Sequence, residues 1–260
     1  MLRLLPALAL IASGAAAKEP DYQSAPPRKT IAERDWGPWL GPFRQALIPS
    51  LMTDFGEQYL YADANRALGL PRAGERRVVF IGDSITDRWD LARYFPGRPY
   101  VNRGIGSQVT AQMVLRFQQD VVALHPEAVV ILAGINDVHG VLQRPTREQI
   151  ERNWTAMADL AERHHIRVVF GSILPVHDYT DAARGVLSDR NPAELIALND
   201  WLRAFCRDRG YGYADYWSVL VDDRGRLARS WSDDGVHPIA AGYARMAPVV
   251  AATLEKVLQR

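Results

Sequence analysis

The sequence predicts a three-layer α/β/α domain on a five-stranded parallel sheet, preceded by an N-terminal helical extension. Two observations carry this: after Gly74 short, continuously apolar runs recur, and longer segments with apolar residues at helical spacing lie between them. Strands that are apolar along their whole length are buried on both faces, which requires helices above and below the sheet. The strands read as "RRVVFIG" (76–82), "PYVNRG" (99–104), "AVVILAG" (128–134), "RVVFGSILP" (167–175) and "YGYADYW" (211–217). Helices are predicted at 107–124, 147–165, 192–209 and 239–258. Ile150, Trp154, Met157, Leu160 and Ala161 give the second its period, and Leu195, Leu198, Leu202 and Phe205 the third.

Upstream, Arg3, the apolar stretch Leu4 to Ala12 and the small residues Ala15 to Ala17 read as an export signal over 1–17. The apolar run is shorter than the ~20 residues a spanning helix needs, and no later window replaces it. A soluble periplasmic or secreted product is expected. Residues 18–30, polar and proline-containing, read as a flexible leader. In 31–75, Trp36, Trp39, Phe43, Leu47, Leu51, Phe55, Tyr59 and Leu60 recur every few residues, which predicts short helices whose aromatic stripe packs on the main body. Residues 76–260, with no repeat and no interior linker, read as one domain.

Cys206 is the single cysteine, so no internal disulfide is expected, and with Lys18 rather than a cysteine directly after the predicted cleavage point no lipid anchor is expected there. Stability must come from a core, for which the 243 residues left of 260 suffice. A formal charge of +1 makes no electrostatic case for nucleic acid or an acidic membrane. Only Lys18, Lys29 and Lys256 are lysines, so a buried lysine base is not expected. Cys206 itself falls on the apolar side of its helix and reads as core.

Open parallel sheets bind ligands beyond the carboxyl ends of their strands. There the chain delivers Gly82-Asp83-Ser84, then "NRGIGSQVT" (102–110), then Gly134-Ile135-Asn136-Asp137; near its end comes "SDDGVHPIAAGYARMA" (232–247), with Asp234 and His237 three apart. Each segment alone is an ordinary turn or cap. Together they supply the parts of acyl transfer. A serine hydroxyl needs an imidazole to take its proton, and the imidazole needs a carboxylate to hold its tautomer. Ser84, His237 and Asp234 are those candidates. The N–H of Ser84, an N–H from the 104–108 turn and the amide of Asn136 are candidate donors to the oxyanion.

From about Val78 to Ala247 the sequence resembles the SGNH/GDSL hydrolase superfamily: "GDSITD", "NRGIGSQVT", "GIND" and "DGVH" match four of its blocks. The resemblance implies a flavodoxin-like sheet, Ser84 as nucleophile, Asn136 as oxyanion donor, and Asp234 and His237 completing the triad. It also places Ser107 where the family commonly has a glycine whose N–H serves the oxyanion. Arg116-Phe117, Asp120-Val121, Leu124, Pro126 and Leu174-Pro175 look most like exported bacterial esterases of short acyl groups, often acetyl groups on carbohydrates. No cofactor or metal is implied.

The alternatives are a lysophospholipase or thioesterase on the same fold, a non-catalytic carbohydrate-binding protein, and a metal-dependent phosphoesterase using Asp83, Asp87, Asn136, Asp137, His139, His177 and His237. Against the last, Asp87 lies four residues after Asp83, where the Gly-Asp-x-x-Asp spacing requires three. An α/β-hydrolase is excluded because no Gly-x-Ser-x-Gly elbow occurs. His177, after the fourth strand, and Arg103, beside the turn, are lesser candidates for the pocket.

Overall fold

The five strands pair in parallel in the order β2-β1-β3-β4-β5, with β1 at Val78–Gly82, β2 at Tyr100–Gly104, β3 at Ala128–Leu132, β4 at Arg167–Gly171 and β5 at Gly212–Ala214. This computed structural model describes residues 42, 46, 48–142 and 144–259, all within one compact unit. The order is that of the flavodoxin-like sheet, with the direction of winding reversing between β1 and β3. Every residue of β1 and β3 is buried, which accounts for their unbroken apolar sequence.

Helices cover both faces. In chain order they are α1 (Tyr59–Leu68), α2 (Ser84–Asp87), α3 (Leu91–Tyr94), α4 (Thr110–Asp120), α5 (Ile135–His139), α6 (Arg147–Arg163), α7 (Val186–Asp189), α8 (Pro192–Arg209), α9 (Tyr216–Leu220) and α10 (Ala240–Leu258). α6 turns Ile150, Trp154, Met157, Ala158 and Ala161 inward, and Thr146 caps it by accepting the N–H of Gln149. α8 has the bounds the sequence predicts: Asn191 accepts the N–H of Ala193, Pro192 starts the helix, and Gly210 ends it at φ 71°. Cys206 is buried on its inner face, and burial pushes the thiol up to about 12.

All five strands are shorter than predicted, and three of them end early, each for an identifiable reason. β3 stops because Gly134 turns at φ 118°. β4 stops because the Asn199 side chain takes both the N–H and the C=O of Ile173, at 2.8 and 2.9 Å, drawing the chain out of the sheet. β5 stops at Ala214 because Asp215 caps α9.

The extension departs from expectation. α1 buries no residue, and Phe55, Tyr59 and Leu60 are exposed, so these three are not core. Polar contacts attach this segment instead: Asn65 Nδ2 donates to Asp120 at 2.7 Å, Tyr61 OH donates to Gly104 O at 2.5 Å, and Gln108 Nε2 donates to Gly56 O at 3.1 Å. Trp36, Trp39, Phe43 and Leu47, the export signal and the leader lie outside the described residues. Among the described residues no helix is long and apolar enough to cross a membrane.

Candidate active site

β1 ends at Gly82, and Asp83 then caps α2, its Oδ1 accepting the N–H of Ile85 at 2.9 Å. Ser84 is therefore the first residue of a helical turn, where its own N–H has no intrahelical acceptor. β2 runs so close to this turn that a Cβ on Gly104 would lie 2.6 Å from Asp87 Cα, so only glycine fits there. Asn102 locks the two together, donating to Thr86 O at 2.6 Å and Trp89 O at 3.0 Å while accepting the N–H of Gly104 at 2.8 Å.

The second component comes from the loop before α10. Asp234 Oδ1 accepts the N–H groups of His237 and Val236, at 2.8 and 3.0 Å, which bends the loop into a tight turn. Gly235, at φ 81°, permits it; a Cβ there would sit 2.8 Å from Ala183 Cβ. His177 holds the loop from behind. Its Nδ1 accepts the N–H of Tyr179 at 3.2 Å, so the proton sits on Nε2, which donates to Ser232 O at 2.9 Å. Fully buried, His177 does not line the cleft as a pocket histidine would.

These segments meet at the carboxyl edge of the sheet. Ser84 Oγ lies 2.8 Å from His237 Nε2, and His237 Nδ1 lies 2.6 Å from Asp234 Oδ2. The carboxylate acceptor assigns the proton to Nδ1 and leaves the Nε2 lone pair facing the serine. Burial works against the Asp234 charge, yet the hydrogen bonds from the His237 ring and from the N–H groups of His237 and Val236 hold its carboxyl well below the usual range.

The 104–108 turn flanks Ser84: a methyl built on Gly106 would lie 3.9 Å from Ser84 Cβ. Ser107 adopts φ 68°, the left-handed region that favours glycine. The resemblance placed serine where a glycine commonly stands, and the backbone keeps the glycine-like conformation at a strain of about 1–2 kcal/mol. Asn136, buried at the start of α5, donates to Gln108 O at 3.1 Å, tying its amide to this turn.

Arg116 underlies the arrangement. Fully buried, it donates to Gly82 O (3.1 Å), Arg103 O (2.8 Å) and Gln108 Oε1 (2.6 Å) and pairs with Asp120 (3.1 Å), clamping the ends of β1 and β2 to the turn. Arg103 does not reach the cleft. Its Nε donates to Asn65 Oδ1 at 2.7 Å, and its guanidinium lies 4.7 Å over the Tyr61 ring. Arg116 carried a signal in the Arg-Phe pair of its motif; Arg190, buried beside His139, carried none.

Two buried carboxylates lie close behind. Burial pushes Asp83 up to about 6, and its Oδ2 has no partner. Burial likewise pushes Asp137 up to about 7, although Thr110 donates to it from both N and Oγ1. The folded state thus holds these protons more tightly than the unfolded chain, and their stabilising contribution, complete below about pH 4, is lost as pH rises through 6 to 7. Asp83→Asn keeps the acceptor for Ile85 and removes that dependence. Its stability relative to the wild type should rise between pH 4 and pH 8 by about 2–3 kcal/mol. Urea titrations at both pH values test this; a constant difference would contradict it.

A sheet of this order, with serine, imidazole and carboxylate in line at its carboxyl edge, has the architecture of an ester-hydrolysing enzyme, and the comparisons agree. The profile of the GDSL-like Lipase/Acylhydrolase family matches residues 80–245, and the chain belongs to that family. It is similar to the crystal structure of a putative acylhydrolase from Bacteroides fragilis NCTC 9343, with 33% identity and a TM-score of 0.73 over 79% of this chain and 99% of that one. A GDSL-like lipase from Bacteroides thetaiotaomicron VPI-5482 gives 32% identity and a TM-score of 0.72 over 78% of this chain and 98% of that one. The Bacillus subtilis (strain 168) protein named uncharacterized lipoprotein YqeF is 27% identical over 127 residues, 42% of this chain and 52% of its own length. The match spans about half of that relative.

Proposed function

We propose that the protein is a metal-independent serine esterase removing short acyl groups, chiefly acetyl, from carbohydrates. The observation that carries this reading is the line of contacts from Ser84 Oγ through His237 to Asp234, at 2.8 and 2.6 Å. In the mechanism proposed, His237 Nε2 takes the Ser84 proton as Oγ attacks the ester carbonyl, while Asp234 stabilises the imidazolium that forms. The N–H groups of Ser84 and Ser107 and the Asn136 amide receive the developing oxyanion. His237 then returns the proton to the departing alcohol, leaving an acyl-enzyme on Ser84 that water hydrolyses by the same route.

The preference for short acyl groups is supported by the resemblance of Arg116-Phe117, Asp120-Val121 and Leu174-Pro175 to exported bacterial esterases of short acyl groups; the cleft beside His237, about 430 Å³, is on the side of the departing alcohol. The phosphoesterase alternative is disfavoured because the polar atoms of His177 and Asp137 are engaged by Ser232, Tyr179 and Thr110. Export is proposed from the N-terminal pattern, with a relative named as a lipoprotein in support.

A series of p-nitrophenyl esters of increasing chain length, followed by acetate release from acetylated saccharides, tests the substrate. Turnover is expected to peak at acetyl. A peak at long chains or on a thioester would favour the lysophospholipase or thioesterase reading. Labelling of Ser84 by a fluorophosphonate separates an enzyme from a carbohydrate-binding protein, and activity unaffected by EDTA separates it from a metal hydrolase. Asn136→Ala should lower kcat by about 10²–10³-fold with little change in KM. A larger effect on KM than on kcat would remove Asn136 from the proposed role.

A further inference from the structure

The cleft beside His237 contains an arginine that the proposed chemistry does not use. Arg190, 9% exposed, lines it together with His139, Arg184, Asp189, Asp234 and His237. Among the described residues no carboxylate lies within 4 Å of its guanidinium; of the other buried arginines, Arg77 and Arg116 pair with Glu75 and Asp120, and Arg103, likewise without an ion pair, donates to Asn65 Oδ1 and Asn102 O and lies over the Tyr61 ring. One Nη donates to His139 Nδ1 at 2.8 Å, and its Nε is buried without a partner. Burial lowers the guanidinium to about 10, with Asp189, Asp234 and Asp83 acting only through their more distant charges. Asp234 is engaged by His237, and Asp189, with its side chain 55% exposed, faces His139 at 3.9 Å.

A buried cation held in one orientation without a counter-ion is costly unless something else supplies the negative charge. Its position says which part of a substrate would do so. The departing alcohol takes its proton from His237, so it must lie on the His237 side of Ser84. The 104–108 turn and Asn136 would occupy the carbonyl side.

We propose that Arg190 is a specificity-determining residue that binds a carboxylate carried by the alcohol part of the substrate, so that the preferred esters are acylated uronic acids rather than acylated neutral sugars. This deepens the esterase reading and rests on it. A guanidinium carries five N–H donors in a planar fork, and one bond to His139 leaves donors for a carboxylate, which matches that geometry.

The experiment compares kcat/KM for acetate release from methyl glycosides of acetylated glucuronic acid and acetylated glucose. The wild type is expected to favour the uronate by about 10- to 100-fold, the range of a hydrogen-bonded charge contact. In Arg190→Gln the ratio should fall to near one, and in Arg190→Lys, which keeps the charge and loses the fork, it should be intermediate. Free glucuronate should inhibit wild-type hydrolysis of p-nitrophenyl acetate more strongly than glucose does. A wild type indifferent to the carboxylate overturns the proposal whether or not the variants fold. So does an Arg190→Gln variant that loses both esters equally, which would make Arg190 a positioning residue for His237. A wild type that takes up fluorophosphonate at Ser84 but does not discriminate sinks this inference alone. One that neither takes up the label nor releases acetate sinks the esterase reading with it.

Discussion

Ser84→Ala is expected to lower kcat for p-nitrophenyl acetate by on the order of 10⁵–10⁶-fold, the scale on which removal of a serine nucleophile acts elsewhere. The reasoning starts from the hydroxyl position: Oγ stands 2.8 Å from His237 Nε2, at the first residue of α2, with the 104–108 turn beside it. Alanine keeps the backbone of that turn and the cap from Asp83, so thermal stability should change by less than about 1 kcal/mol. His237→Ala should cost nearly as much, and the double variant little more than either alone, because the two side chains act as one unit. Steady-state kinetics with a thermal melt on each protein measure all three. An alanine variant with near-normal turnover would refute the proposed chemistry.

Asp234→Asn is expected to cost about 10³–10⁴-fold in kcat while leaving the loop folded. The carboxylate does two jobs that this substitution separates. Oδ1 accepts the N–H groups of His237 and Val236, which an asparagine oxygen can also do. Oδ2 accepts the His237 Nδ1 proton, and an amide NH₂ in that place is a donor, so the imidazole must turn its lone pair inward and carry its proton on Nε2. That proton then faces Ser84, and the base is lost. Asp234→Ala, by contrast, removes the turn-forming bonds as well and should also lower stability, by about 1–3 kcal/mol. An asparagine variant retaining more than a tenth of wild-type kcat would show that the tautomer does not matter.

Much of the fold was legible because its signals are local. α8 could be bounded to the residue, since Asn191, Pro192 and Gly210 each act within one turn of the helix. β1 and β3 could be placed from apolar runs because both their faces are covered. The strand ends were overrun where a distant side chain intervened, as when Asn199 captures the backbone of Ile173 across 26 residues. The exposed Phe55, Tyr59 and Leu60 misled for the opposite reason: periodicity reports a stripe, not what it faces.

The same division runs through the candidate site. By itself the sequence determined the sheet class, the three segments at the strand ends, and which side chains carry hydroxyl, imidazole and carboxylate, because residue identity and short-range pattern suffice for each. Only the tertiary structure decided that position 84 meets position 237, 153 residues away, that Ser107 takes a left-handed conformation, and that Arg190 is buried with no carboxylate of the described residues within 4 Å. Contact across the chain, backbone strain and desolvation depend on how all the elements pack, and no local window contains that information.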